Sequence, residues 1–210
     1  MTAVEPPAEV DGRLLRGSRT REQLLRAALR LFGSKGFHAT SMRDLATEAG
    51  VSPPSIYNHY ASKEAILAAA LVAGLKQFQG TVIAPDEDGM PSELRLEGLV
   101  RRHVGWQVQN RGDVRAADRL LEMVKTGELL PSSSTAEIEE LLQRYRDLFN
   151  VLIDDLRDRR GLSLPSTHIC VEAVLALCDS CNRWHESDDR DLVQVQNECW
   201  FFTANLLGLR

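Results

Sequence analysis

The chain has 210 residues, 43% of them apolar, and a formal charge of −5, so it can bury a real core in one or two domains. No apolar run approaches the ~20 residues that cross a bilayer, the acidic start with Pro6 and Pro7 is not a secretion signal, and four late-clustered cysteines do not read as a disulfide framework. These features put the chain in the cytoplasm, with no membrane partner and with residues 1–12 as a disordered leader.

Charge is unevenly placed. Residues 13–63 hold nine Lys or Arg against three Asp or Glu, whereas residues 64–210 hold sixteen against twenty-four. A basic head on an acidic body turns the head toward phosphate and keeps the body off it, which makes double-stranded DNA the expected partner.

In chain order, the first signals are Arg13, Arg16, Arg19 and Arg21, which precede or open the first helix. Flexible arginines in that place reach phosphates or a narrow minor groove. Residues 40–63, TSMRDLATEAGVSPPSIYNHYASK, then read as two short helices joined by a tight turn and followed by the cap of a third. Ser41 with Asp44 three residues on is a capping box. Met42, Leu45 and Ala46 give the first short helix its apolar stripe. Gly50 ends it, and Ser52 caps the next with Pro53 at its first position. Ile56 and Tyr60 pack that helix inward. Its other side carries Pro53, Ser55, Tyr57, Asn58 and His59, a polar and aromatic face of the kind a major groove receives. Lys63, in the first turn after the Ser62 cap, forms a phosphate seat with the helix N-terminus. Arg43 is a further phosphate or base-edge contact. The expected DNA contacts are therefore Arg13, Arg16, Arg19, Ser41, Arg43, Ser52, Pro53, Ser55, Tyr57, Asn58, His59 and Lys63.

After Leu67 the pattern is helical throughout, with no strand alternation and no internal repeat. One helix runs from the Ser62 cap to about Val82, and APDEDGMPSE is a loop. Helices follow at roughly 92–110, from an Asp113 cap to about Lys125, from Ala136 to Arg160, and at about 166–184 and 188–208. The fold class is all-α, about nine helices, three in a head and six in a body.

The segment from about Thr20 through Leu67 resembles the DNA-binding domain of the tetracycline-repressor (TetR) family. The approach helix TREQLLRAALRLFGSKGFHATSM, the turn AGVS, the helix ending IYNHY and the following SKEAIL occur in the family's order. The resemblance implies a homodimer, with a head at residues 13–61 and a ligand-binding and dimerisation body at 62–210, in which a small effector releases DNA.

In the body, one face of the 92–110 helix gathers Leu96, Leu99, His103, Trp106 and Asn110. A His, a Trp and an Asn on an apolar stripe suggest a greasy cavity with a few polar anchors. Phe78, Tyr145 and Phe149 would complete its walls. Cys170, Cys178, Cys181 and His185 fall on one arc of the penultimate helix. One straight helix cannot close a tetrahedron around zinc, so no metal is expected there, and Cys178, Cys181, Cys199, Phe202 and Leu206 are read as packing at a dimer interface. A cysteine-based redox sensor is the alternative. The Arg183-Trp184 pair resembles an element of family members that answer to acyl-coenzyme A thioesters, although His185 stands where Tyr is expected. That points to a lipid-like effector. No phosphate loop, nucleophile elbow, HExxH or paired carboxylates are present, so neither an enzyme nor a bound cofactor is expected.

Overall fold

A computed structural model describes residues 12–127, 129–131, 134–187 and 191–210, with side chains over 19–127, 129–131, 134–181 and 191–210. Among these residues there are nine helices and no strand: α1 (Gly12–Lys35), α2 (Met42–Glu48), α3 (Pro53–His59), α4 (Lys63–Val82), α5 (Ser92–Gln109), α6 (Arg111–Lys125), α7 (Ala136–Arg160), α8 (Thr167–Ser187) and α9 (Leu192–Leu206).

The local chemistry explains most boundaries. Ser41 Oγ accepts from the Asp44 amide at 3.1 Å, and Asp44 returns a bond from the Ser41 amide at 2.9 Å, the reciprocal box that starts α2. Gly50 at φ +67° turns the chain from α2 toward α3. In α7, Glu137 and Glu139 open the helix and Arg157, Arg159 and Arg160 close it, matching the helix dipole at both ends.

Three boundaries differ from expectation. α1 begins at Gly12, so Arg13, Arg16 and Arg19 lie on a helix and not on a flexible arm. The side chains of Arg13 and Arg16 lie outside the described residues. α6 opens at Arg111 with Asp113 inside its first turn, because Asn110 (φ −113°, ψ 25°) ends α5 and begins α6 without an intervening loop. α9 starts at Leu192, capped by Asp191, whose Oδ1 accepts from the Gln194 amide at 2.8 Å.

Two apolar cores stack along α4. The head core joins Leu24, Phe32, Phe37, Leu45, Ile56 and Tyr60 to Ile66, Leu67 and Leu71 of α4, and continues into Leu120 and Val124 of α6 and Ile138 of α7. The body core joins Val82 at the far end of α4 to Leu96, Leu99, Phe149, Leu152, Val174, Cys178, Cys199 and Trp200. By length and composition alone α4 would pass for a membrane span, at mean hydropathy 1.3, against the expectation that no segment does. Ile66, Leu67, Ala70, Leu71 and Val82 of this helix are buried in the two cores, and Gly74, Leu75 and Phe78 border the cavity described below. α1 also packs directly on α6. A Cβ built on Gly33 would sit 2.4 Å from the Ala116 Cβ, so the two helices meet closely where Gly33 leaves room.

The cysteine assignment to a dimer interface is corrected. Cys178, Cys181 and Cys199 are fully buried inside the subunit, and Cys178 Sγ lies 3.9 Å from Cys199 Sγ between α8 and α9. The inward face of α9 is Val195, Cys199, Trp200, Thr203 and Ala204. Phe202 and Leu206, expected on the same seam as Cys199, are instead exposed together with Phe201 on α9 and Ile169 on α8.

Candidate functional site

The α2–turn–α3 unit stands on a small core. Ile56 is completely buried, and Tyr60 is buried with its Oη accepting from Arg21 Nε at 2.8 Å. Everything on the opposite side of α3 is left for a ligand. Pro53, Tyr57, Asn58 and His59 are exposed, Tyr57 at 59%, and Ser55 is half-buried. Ser52 occupies the N-cap position, but its hydroxyl makes no capping bond, contrary to expectation. The Ser55 amide bonds the Ser52 carbonyl at 2.9 Å instead. Arg19 and Arg43 are also exposed.

Two expected contacts are occupied internally. Ser41 Oγ both donates to Asp44 Oδ2 at 2.8 Å and accepts from the Asp44 amide, so its hydroxyl belongs to the helix start. Lys35 Nζ joins the same carboxylate at 2.7 Å, and this bond, followed by those from Ser41, holds Asp44 well below the usual carboxylate range. Lys63 does not point at phosphate. Its Nζ donates to the carbonyls of Phe37 at 2.7 Å and Thr40 at 2.9 Å and lies 4.4 Å from the Phe37 ring centre. The ammonium ties the start of α4 to the α1–α2 turn, where the Phe37 carbonyl also accepts the Thr40 amide at 3.2 Å.

The second site is a cavity of about 790 Å³ below the head. It is walled by Leu25 and Leu29 of α1, by Gly74, Leu75 and Phe78 of α4, by His103, Trp106, Gln107 and Asn110 of α5, and by side chains of α6, α7 and α8. Phe78 is its aromatic hub, edge-on to Tyr145 at 4.9 Å, His103 at 5.1 Å and Trp106 at 5.9 Å. Behind these rings runs a polar chain from buried Tyr145, His103 and Gln107 to the exposed Asp179. Tyr145 Oη and His103 Nδ1 share a hydrogen bond at 3.1 Å whose donor is set by the imidazole tautomer, and Gln107 Nε2 donates to Asp179 Oδ1 at 2.8 Å. His103 Nε2 lies 3.1 Å from both Gln107 Nε2 and Asp179 Oδ1. Burial raises the Tyr145 phenol well above its ordinary range, so this hydroxyl stays protonated. Asp118 also lines the cavity, and although the residue is exposed, crowding by neighbouring atoms, then Asp179, raise its carboxyl to about 6 against the opposing pull of His103 and Lys125.

The expected ligand residues divide accordingly. Phe78, His103, Trp106, Asn110 and Tyr145 are brought together on the wall, and Asn110 Nδ2 donates to the Trp106 carbonyl at 3.0 Å. Phe149 is not on the wall. It is fully buried behind Tyr145, with ring centres 5.0 Å apart. Arg183 and Trp184 have side chains outside the described residues. Gln107, Asp118 and Asp179 are wall residues that sequence reasoning passed over. Gln107 stands one helical turn beyond His103, so the same spacing pointed at it. Nothing in the pattern around Asp118 or Asp179 marked either. Among the described residues, no group of His, Cys, Asp and Glu is arranged to hold a metal. The Cys199 hydrogen bond, then burial, push the Cys178 thiol well up, away from the thiolate that oxidants attack.

Residues 24–70 match the model of the bacterial regulatory proteins of the tetR family. YerO of Bacillus subtilis, an uncharacterised HTH-type transcriptional regulator, is 28% identical over 54% of this chain, a stretch that spans only 37% of YerO. UidR of Escherichia coli K12, an HTH-type transcriptional regulator, is 24% identical over 65% of this chain and 84% of its own length. Among solved structures, a tetR-family regulatory protein from Rhodococcus RHA1 superposes with a TM-score of 0.78 over 90% of this chain and 97% of that one, at 22% identity. AibR, solved with isovaleryl coenzyme A and operator DNA, gives 0.72 over 90% and 98%, at 19% identity.

Proposed function

Because the chain belongs to the TetR family of transcriptional regulators, we propose that it is a ligand-responsive repressor that binds a palindromic operator as a homodimer and is released by a small, mostly apolar effector. The observation that carries this reading is the position of the cavity. Its walls include Leu25 and Leu29 of the DNA-binding head as well as α4, α5, α6, α7 and α8 of the body, so an occupant bears on head and body at once. A ligand shifts DNA affinity only through a difference in its affinity for two arrangements of the dimer. Here the head hangs on α4 and on the α1–α6 contact, and both border the cavity. Pushing α6 or α4 turns α1 and with it α2 and α3, which changes the spacing of the two recognition helices.

On DNA, Tyr57, Arg43 and Arg19 hold phosphate, while Ser55, Asn58 and His59 reach base edges, with Pro53 and Ser52 at the groove rim. In the dimer, residues 62–210 form the ligand-binding and pairing body, and the exposed Phe201, Phe202, Leu206 and Ile169 supply its apolar contact. The regulator acts in the cytoplasm. A lipid-like metabolite, in the manner of the coenzyme A thioester bound by AibR, is one class of effector that the apolar walls accept.

The test starts from fragments of genomic DNA selected by the purified protein and measured by fluorescence anisotropy. An inverted repeat in the selected fragments, and a Trp106→Ala variant that binds them as the wild type does but no longer responds to effector, are expected. Fragments without two-fold symmetry overturn the dimeric operator reading. Full effector response in Trp106→Ala removes the cavity from the switch.

A further inference from the structure

The charges around the cavity narrow the effector's chemistry. This inference rests on the effector reading above and concerns the same cavity. The bases on its wall are engaged by neighbouring acids. Arg26 Nη2 meets Glu22 Oε1 at 2.7 Å, Lys125 Nζ meets Glu122 Oε2 at 3.7 Å, and Arg146 Nε meets Glu172 Oε1 at 2.9 Å. Among the described lining residues this leaves three carboxyl groups, on Asp113, Asp118 and Asp179, outside any Lys or Arg ion pair, with Lys125 and His103 acting on Asp118 only at longer range. Asp113 has a reason of its own, since it stands in the first turn of α6, where the helix dipole favours an anion. Asp179 Oδ1 accepts from Gln107 and lies 3.1 Å from His103 Nε2, which leaves its other oxygen toward the cavity.

Asp118 has no such account. It lies past the first turn of α6, accepts no hydrogen bond from any described residue, and opens on to the cavity. Asp118 is exposed and keeps its hydration, so its charge persists in the ligand-free protein and remains available to a positive group in the cavity. The same cavity offers the aromatic surfaces of Phe78, Trp106 and Tyr145, which attract a cation and repel an anion.

We infer that the effector is a cationic amphiphile, an amine or quaternary ammonium on an apolar or aromatic body, with its charge between Asp118 and Asp179 and its body against Phe78, Trp106 and Leu75. The polyphosphate of a coenzyme A thioester brings negative charge to a wall that is already negative.

A matched set of probes tests this: decyltrimethylammonium, decanol, decanoate and decanoyl-coenzyme A, each titrated by calorimetry into the full-length protein at pH 7.5. The ammonium is expected to bind at least tenfold more tightly than decanol, and decanoate more weakly than decanol. Asp118→Asn is expected to remove most of the ammonium's advantage and to leave decanol unchanged. If decanoate or decanoyl-coenzyme A equals or exceeds the ammonium, the cation inference is wrong and the effector cavity stands. If Asp118→Asn weakens all four alike, or Trp106→Ala leaves the ammonium's affinity intact, the charge is read elsewhere and the inference again fails. If none of the four binds to protein of native circular dichroism, the effector reading fails with it.

Discussion

Lys63 illustrates what a single position in a helical pattern does and does not convey. Its place after the Ser62 cap was legible, and so was the helix it opens, because both are local. Its partners, the carbonyls of Phe37 and Thr40, lie more than twenty residues back and are brought near only by the fold of the head. The ammonium therefore stabilises the turn. Lys63→Met should lower unfolding stability by about 1–3 kcal/mol, the range for losing hydrogen bonds from a charged group to buried carbonyls, as read by urea denaturation. The salt dependence of DNA binding should be unchanged. A slope flatter by about one unit would return Lys63 to the phosphate. Asp118 carries the opposite sign. Its carboxyl is raised from 3.8 to about 6, first by the crowding of neighbouring atoms and then by Asp179. The folded state thus holds its proton more tightly than the unfolded chain does. The stability that comes from this proton is complete below about 3.8 and is lost as pH rises through about 6. Because Asp118 is exposed, solvent screens much of this effect, so Asp118→Asn should raise the melting temperature at pH 7.5 only slightly and have almost no effect at pH 4. An equal shift at both values would show that the carboxyl is not titrating in a desolvated place.

Between elements, the contact of α1 with α6 couples the DNA-binding head to the cavity wall. A glycine inside a helix is ordinarily a weak spot, where alanine is preferred by about 1 kcal/mol. The structure inverts that expectation, because a Cβ there would meet Ala116 Cβ at 2.4 Å and its Cα at 3.2 Å. Neither is the far end of a flexible side chain, so a helix must shift. Gly33→Ala should cost about 1–3 kcal/mol by overpacking, and Ala116→Gly in the same chain should recover most of it. Stabilisation by Gly33→Ala alone would mean that the helices are free to part. Periodicity had the same limit elsewhere. It placed Tyr145 and Phe149 on one face of α7, correctly, but could not say that the cavity stops at Tyr145 and that Phe149 lies in the core behind it. It also set Cys199, Phe202 and Leu206 on one seam of α9. The packing of α8 places the first of these inside and leaves the other two at the surface. A helical wheel gives angles, and only the neighbouring helices decide where the buried arc begins.

For the whole molecule, the arrangement of three helices followed by six was legible because caps, breakers and apolar stripes are local signals that agreed with one another. The division of charge into a basic head and an acidic body was equally plain, and it matches a molecule that meets DNA at one end. What was not legible is the pairing surface of the proposed homodimer. Phe201, Phe202, Leu206 and Ile169 are 45–54% exposed in one subunit, on adjoining helices that close the body. An apolar surface of this kind is a costly one to leave in water. A single α3 reads only a few base pairs, so operator recognition requires two heads held at a fixed separation of about one DNA turn, or 34–36 Å. If these side chains form that pairing surface, Leu206→Asp places a charge in its centre without touching the subunit core. The variant should keep its helical circular dichroism, sediment as a monomer at micromolar concentration, and bind a full operator no better than a half-site, a loss of at least about a hundredfold given the usual gap between specific and non-specific affinity. A Leu206→Asp protein that stays dimeric and retains operator affinity would place the pairing surface on another face of the body.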